Sequence, residues 1–328
     1  MKSIEMVKGA KKLVDECARV QAGENVLIIT DTMGPLHIAE TLSIVCKERG
    51  AEPVIMIMSP LPIGGNDQPP PVAEALVKAQ VLFTVLSQGI FHSPSRVRAG
   101  NAGARGISIS QFEEDMIRGA IEADFIEAKK LGDKLGGALR KAKEARITTP
   151  AGTDLTLDLK GRGEGEKGVL VFTNIAHRPG EFGIMILEVA ISPNVGTAQG
   201  VIVCDANITF FRPGLTPKEP IRAVVKDGMI TEITGGKEAR MLAESLAALG
   251  DPMVYNVAEL GIGYNPKAKM TGRQNQDKGV FGTCHIGAGS NITWGGKIRA
   301  ATHFDFLMYA PKIELDGVVI LENYKFHL

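Results

Sequence analysis

The chain has 328 residues, 37 of them basic and 37 acidic, a net charge of zero and 44% hydrophobic side chains. That balance leaves no electrostatic footprint for nucleic acid or an anionic membrane, and 5% aromatics is too few for a base-stacking surface. The length exceeds one small core and fits two domains, or one large one.

The opening run MKSIEMVKGAKKLVDECARV reads as a charged amphipathic helix, not a signal peptide. NVLIIT (25–30) is a short β-branched strand, followed by a helix that stops at Gly50. EPVIMIM (52–58) reads as a second buried strand, PPPVAEALVKA (69–79) as a helix with prolines at its start, and QVLFTVL (80–86) and ARGISIS (104–110) as further strands. Alternating elements with continuously apolar strands predict a parallel sheet covered on both faces.

From Glu122 to Lys143 the pattern becomes one long charged helix. TTPAGTDLTLDLKGR then alternates polar and apolar residues around a glycine, a hairpin signature. GRGEGEKG (161–168) reads as a flexible loop, and GVLVF, ILEVAIS, QGVIVCD, IRAVVKDG, MITEIT and KIELDGVVIL as strands. One helix, KEARMLAESLAAL (237–249), interrupts them. The expected fold is α/β: an N-terminal parallel-sheet αβ domain over residues 1–147, then a β-rich α+β domain over 148–328 that carries the chemistry.

No apolar stretch reaches the ~18 residues needed to span a bilayer. Cys17, Cys46, Cys204 and Cys284 show no CxxC spacing and read as reduced thiols. The expected class is a cytoplasmic globular protein with a small peptide or other small molecule as substrate and no nucleic-acid or membrane partner. GxGxxG is absent after the first strand, GRGEGEKG lacks the GK[ST] of a phosphate loop, and HExxH and GxSxG do not occur.

The stretch ATHFDFLM (301–308) carries the first positive signal. On a strand, residues i and i+2 share a face, so His303 and Asp305 project together while Phe304 and Phe306 point oppositely. An imidazole beside a carboxylate can ligate a metal, or the aspartate can simply orient a core histidine. Three more strands carry a polar group where an apolar one is expected: His285 in GTCHIGAGSN, Glu259 in NVAELGIGYNP and Glu188 in GIMILEVAISP. Four such intrusions, with few basic residues close by in sequence, point to a shared cation.

With these motifs in hand, residues 146–310 resemble the thermophilic metalloprotease aminopeptidases, the aminopeptidase T group, through TPAGTDLTLDL, ILEVAISPNVGTAQGVIV, NVAELGIGYNP, GTCHIGAG and THFDF. The resemblance implies a hydrolase that removes N-terminal residues from peptides. It further implies two divalent ions (zinc, cobalt or manganese) held by Glu188, Glu259, His285, His303 and Asp305, with Glu188 or Glu259 as general base, and a homodimer. Ile292 stands where that group has a tyrosine. The chain also resembles the 2,5-dihydroxypyridine dioxygenases over nearly its whole length, through FHSPSR, SPNVGTAQG, GIGYNPKA and GGKIRAATHFDF. That resemblance implies one iron(II), with His92 as catalytic base. The iron ligands there are two histidines and an aspartate; His303 and Asp305 match, and Glu259 stands at the other histidine's position. A triad of His285, His303 and Asp305 is a further way to hold iron. Of the two implied activities the complete five-ligand set favours the hydrolase.

Among the remaining residues, Tyr264 and Asn265 could donate a proton or hydrogen bond, Lys297 and Arg299 could meet a substrate carboxylate or remain solvated, and Trp294 could wall a pocket or pack. His37, His177 and His327 read as structural or surface residues, and Cys284 as core.

Overall fold

Short apolar runs alternating with helices give a five-stranded, all-parallel sheet in the order β2-β1-β3-β4-β8. The computed structural model describes residues 2–328 apart from 63–65, 92, 112–115, 118, 166–167 and 212–213. Strands β1 (Asn25–Asp31), β3 (Val81–Val85) and β4 (Arg105–Ser108) are buried along almost their whole length, as strands covered on both faces must be. Helices α1 (Lys2–Lys11), α2 (Leu36–Glu48), α3 (Pro70–Lys78) and α4 (Pro94–Asn101) alternate with them. Part of the core lies where Leu27, Ile29 and Leu82 of the sheet meet Val72, Leu76 and Ala99 of α3 and α4.

Two details depart from the sequence reading. β2 (Glu52–Met58) is the sheet's edge and not a buried strand: Val54 is 58% and Ile57 55% exposed. Its composition is that of an interior strand, and composition does not say which strand ends a sheet. The fifth strand, β8 (Phe182–Ile184), comes from far along the chain and pairs with β4.

The long helix α5 spans Phe125–Lys141. It does not carry the division to 147/148. The chain separates into one unit of Met1–Glu127 with Thr173–Ile186 and another of Ala128–Phe172 with Leu187–Leu328. The boundary thus falls inside the helix, whose uninterrupted charge pattern hides it, and the first unit takes back a segment to complete its sheet.

The second unit contains two antiparallel sheets. The eight-stranded sheet runs β13-β12-β10-β6-β5-β17-β18-β19, with β5 (Glu144–Thr148), β6 (Asp154–Asp158), β10 (Gln199–Cys204), β12 (Ile221–Lys226), β13 (Met229–Thr234), β17 (Lys312–Leu315), β18 (Val318–Glu322) and β19 (Lys325–Phe326). β5 and β6 form the expected hairpin, in register from Thr148 with Asp154. Asp227-Gly228 and Asp316-Gly317 turn two other hairpins with φ of 49° and 74°, and 49° and 80°, the left-handed pair that tight hairpins require. Helix α6 (Lys237–Ala248) packs on β12 and β13.

The six-stranded sheet runs β11-β16-β15-β14-β9-β7, with β7 (Val169–Phe172), β9 (Glu188–Ile191), β11 (Asn207–Ile208), β14 (Val257–Gly263), β15 (Cys284–Gly289) and β16 (His303–Met308). Cys204 Sγ donates to Leu307 O, tying the two sheets together. All four cysteines are buried and unpaired, and burial pushes each thiol up. The architecture is therefore a parallel α/β unit and a β-rich unit. Among the described residues no helix is long and apolar enough to cross a membrane.

Candidate metal centre

The six-stranded sheet brings all five sequence-derived donors onto one face. Glu188 opens β9, Glu259 lies in β14, His285 in β15, and His303 and Asp305 in β16. Across the ladder each of them faces a glycine: Glu188 opposes Gly263, His285 opposes Gly261, Glu259 and Asp305 both oppose Gly287, and His303 opposes Gly289. The glycines are a spatial requirement. A Cβ on Gly261 would overlap the His285 imidazole, and one on Gly287 would sit 2.8 Å from both Glu259 Cβ and His303 Cε1. A register shift between Val257 and Glu259 is what returns Glu259 to this face. On the opposite face Phe304 and Phe306 are fully buried, and Phe304 packs edge-on against Phe210.

The donors form two compact sets, Glu188–Glu259–His285 and Glu259–His303–Asp305, each with its ligand atoms within 4.8 Å of one another. Glu259 belongs to both. His285 Nε2 lies 3.5 Å from Glu188 Oε2 and 3.5 Å from Glu259 Oε1. His303 Nε2 lies 3.0 Å from Glu259 Oε2 and 3.3 Å from Asp305 Oδ1. His285 therefore groups with the two glutamates, and not in a triad with His303 and Asp305, because β15 places its ring over Gly261 on the β14 side.

Second contacts aim the ligands. Ser290 O accepts the Nδ1 proton of His303 at 2.8 Å, which turns Nε2 toward the carboxylates. Trp294 lies along the other side of that imidazole, ring centroids 4.6 Å apart and planes at 30°. Thr209 Oγ1 donates to Asp305 Oδ2 at 3.1 Å. Arg162, in the loop expected to be flexible, donates to Ser192 O and Trp294 O at 3.0 Å each and so anchors that segment beside the cluster.

One participant was absent from the sequence reading. Lys278 Nζ stands 3.4 Å from Asp305 Oδ2, 3.6 Å from Glu188 Oε1 and 3.9 Å from Glu259 Oε2, with the lysine side chain only 6% exposed. It follows α7 (Gln274–Asp277) in a polar stretch, RQNQDKGV, where a lysine looks solvated. The only hint was its position between two ligand-bearing strands.

The charges shape one another. Burial opposes the ionised form of Glu259, but the Lys278 ammonium and the two imidazoles outweigh it and hold the carboxyl at about 2. Burial likewise opposes ionised Asp305, and Lys278 with His303 overrides it, holding the group well below its usual range. For Glu188 burial wins over Lys278 and His285, and its carboxyl is raised. Burial disfavours a charged His303, but the Asp305 and Glu259 carboxylates beside it push it up to about 10. The three carboxylates keep Lys278 cationic against its burial.

Four buried atoms of the cluster, Glu188 Oε2, Glu259 Oε1, His285 Nε2 and Asp305 Oδ1, have no hydrogen-bond partner among the described residues. Buried polar atoms of this kind are costly unless something else satisfies them. Oxygen and imidazole donors without a thiolate suit a divalent first-row ion. The residues therefore fit a metal.

The other singled-out residues fall elsewhere. Tyr264 is fully buried and donates to Phe172 O, so it is a packing residue and no acid; Gly132 of α5 leaves room for its hydroxyl. Asn265 accepts from Lys267 N in a turn. Lys297, Arg299 and His327 are exposed. His177 is bonded to Glu16 O in the first unit. Cys284 faces away from the cluster, opposite Ile262 and Met308. Ile292 is 38% exposed, and His92 lies outside the described residues.

Comparison with known proteins follows the same outline. A family model for 2,5-dihydroxypyridine 5,6-dioxygenase (NicX) matches residues 5–327. The 2,5-dihydroxypyridine 5,6-dioxygenase of Pseudomonas putida KT2440 is 24% identical over 242 residues, which cover 71% of this chain and 67% of that protein. The solved structure of a 2,5-dihydroxypyridine dioxygenase from Pseudomonas putida KT2440 superposes with a TM-score of 0.84 at 18% identity, over 99% of this chain and 97% of that one. Wild-type AmpT from Thermus thermophilus superposes with a TM-score of 0.65 at 14% identity, over 99% of both chains. At these identities the two superpositions establish a shared fold.

Proposed function

The chain belongs to the 2,5-dihydroxypyridine 5,6-dioxygenase family, and from that membership we propose that it opens a dihydroxylated, pyridine-like ring using iron(II) and molecular oxygen. The observation that carries the reading is the family match over residues 5–327, which spans both units and not the metal-binding half alone. It reverses the preference that the five-donor set gives by itself. That set favours a hydrolase, whereas the family that matches residues 5–327 is described as a dioxygenase.

Iron(II) bound at this cluster would supply the one-electron chemistry that lets ground-state oxygen react with an electron-rich ring. Glu259, His303 and Asp305 would hold it, presenting one imidazole and two carboxylates from β14 and β16, the two strands that flank β15. Ser290 O fixes the tautomer of His303, Trp294 fixes its plane, and Thr209 fixes Asp305. Glu188, its carboxyl raised by burial, is the member of the cluster suited to holding or passing a proton.

The test is oxygen uptake. Protein purified anaerobically and loaded with iron(II) should consume oxygen in step with the loss of ring absorbance of 2,5-dihydroxypyridine. Iron-loaded, folded protein that consumes none with this or related dihydroxypyridines defeats the reading. A second reading, an exopeptidase, draws on the way Glu259 is shared by two donor sets, as a bridging carboxylate between two ions would be. Cleavage of N-terminal amino-acid amides by the zinc, cobalt or manganese form would favour it.

A further inference from the structure

We propose that Lys278 is a resident cation that takes the place of a second metal ion, so that this five-donor cluster binds a single divalent ion. The geometry carries the inference. The ammonium reaches a carboxylate of each donor set, Glu188 of one and Asp305 of the other, together with Glu259, which they share. It thus stands among the groups that two metal ions would otherwise neutralise.

Charge counting agrees. In the metal-bound state, with the carboxylates ionised and the imidazoles neutral as metal ligands must be, three buried carboxylates and one ammonium leave two negative charges, which one divalent ion cancels. Two divalent ions beside the same lysine would leave a buried excess of positive charge, even with a hydroxide between them. Without the lysine, two ions and a bridging hydroxide would balance the three carboxylates. Uncompensated charge in a dry site is strongly unfavourable.

Lys278 is also held in place. Its amide donates to Gln274 O. The preceding Asp277 accepts four hydrogen bonds, from Thr271 N, Thr271 Oγ1, Gly272 N and Asn207 Nδ2. Gln276 Nε2 donates to Lys269 O. Gly263, the partner of Glu188 in the ladder, lets this segment cross β14 closely: a Cβ there would sit 2.7 Å from Lys278 O. The lysine is delivered to the cluster by a pinned turn, not by a mobile loop.

The inference rests on the metal-binding part of the function proposed above, and the two fail differently. If no divalent ion binds, both fall; if two bind, only this one does. The experiment is metal counting by elemental analysis and calorimetric titration with manganese(II), on the full chain. The wild type should saturate at about one ion per chain and give the six-line manganese spectrum of an isolated ion. Lys278→Met and Lys278→Gln should each saturate at about two, with an exchange-coupled spectrum. Lys278→Arg, which keeps the charge, should remain at about one. Two ions in the wild type, or a coupled spectrum from it, overturns the proposal whether or not the variants fold. A folded Lys278→Met or Lys278→Gln protein that still saturates at one ion overturns it equally.

Discussion

Thr209 and Asp305 clasp each other through three hydrogen bonds: Thr209 Oγ1 donates to Asp305 Oδ2 at 3.1 Å and accepts from Asp305 N at 2.8 Å, while Thr209 N donates to Asp305 O at 3.1 Å. The side-chain bond fixes one carboxylate oxygen and leaves Oδ1 directed at His303. Partners of this kind typically contribute a factor of 10–100 to metal affinity. Thr209→Val keeps the shape and removes the donor, and should weaken the bound ion by roughly that factor. Competition against a chelator of known affinity measures it; unchanged affinity would place Asp305 outside the ligand set.

His303→Ala should leave the folded protein nearly free of metal after dialysis, because the change removes an imidazole from one donor set and leaves Glu259 and Asp305 with a gap between them. Elemental analysis reads the loss, and the melting curve confirms that the sheet survives. Metal content equal to wild type would show that the ion sits elsewhere.

Gly261→Ala tests the glycine face. The added methyl has no space beside the His285 imidazole, which is itself 1% exposed and cannot swing outward. Overpacking of this sort costs about 1–3 kcal/mol. The expected outcome is a lower denaturant midpoint together with weaker metal binding. Wild-type stability would mean that β14 and β15 can separate without penalty.

The first unit supplies a pH prediction away from the metal. Arg105, almost wholly buried, makes a two-pronged ion pair with Glu24 at 2.8 Å on both prongs and donates to Ala18 O and Arg19 O. Burial opposes the ionised Glu24 carboxyl, but the hydrogen bonds from Arg105 and Gln21 bring it below its ordinary value of 4.5. Because the folded-state value is the lower one, this stabilisation is complete above the ordinary glutamate range and is lost as pH falls through the depressed value. Glu24→Gln should cost roughly 1–3 kcal/mol near neutrality. It should also flatten the decline in urea midpoint between about pH 7 and about pH 3. A variant whose midpoint falls as steeply as wild type would remove the pair from the account.

Much of this centre is legible in the residues themselves. His303 and Asp305 alternate with phenylalanines because one strand face holds donors and the other holds core, and the two-residue period shows it. The glycine doublets of GIG (261–263) and GAG (287–289) share that period and mark where side chains from neighbouring strands need room. Lys278 was invisible because its burial depends on a turn folding back over β14, a non-local event that local composition does not encode. Tyr264 misled for the opposite reason: adjacency to a donor strand suggested chemistry, yet its place just past the end of β14 turns it toward α5. β2 read as interior because its apolar content matches its neighbours, and nothing local marks a sheet's end. The division of the chain inside α5 was hidden because a helix can continue smoothly while its packing partners change.

The late arrival of β8 also matters for synthesis on a ribosome. The parallel sheet of the first unit stays one strand short until Ile184 has emerged, after β5, β6 and β7 of the other unit have already been made. Until then β4 carries an open edge, the kind of surface that invites wrong pairing between nascent chains. No single cut separates the two units either: cleavage within α5 would leave β8 on the fragment that does not use it. Fragment complementation would need a break on each side of residues 173–186.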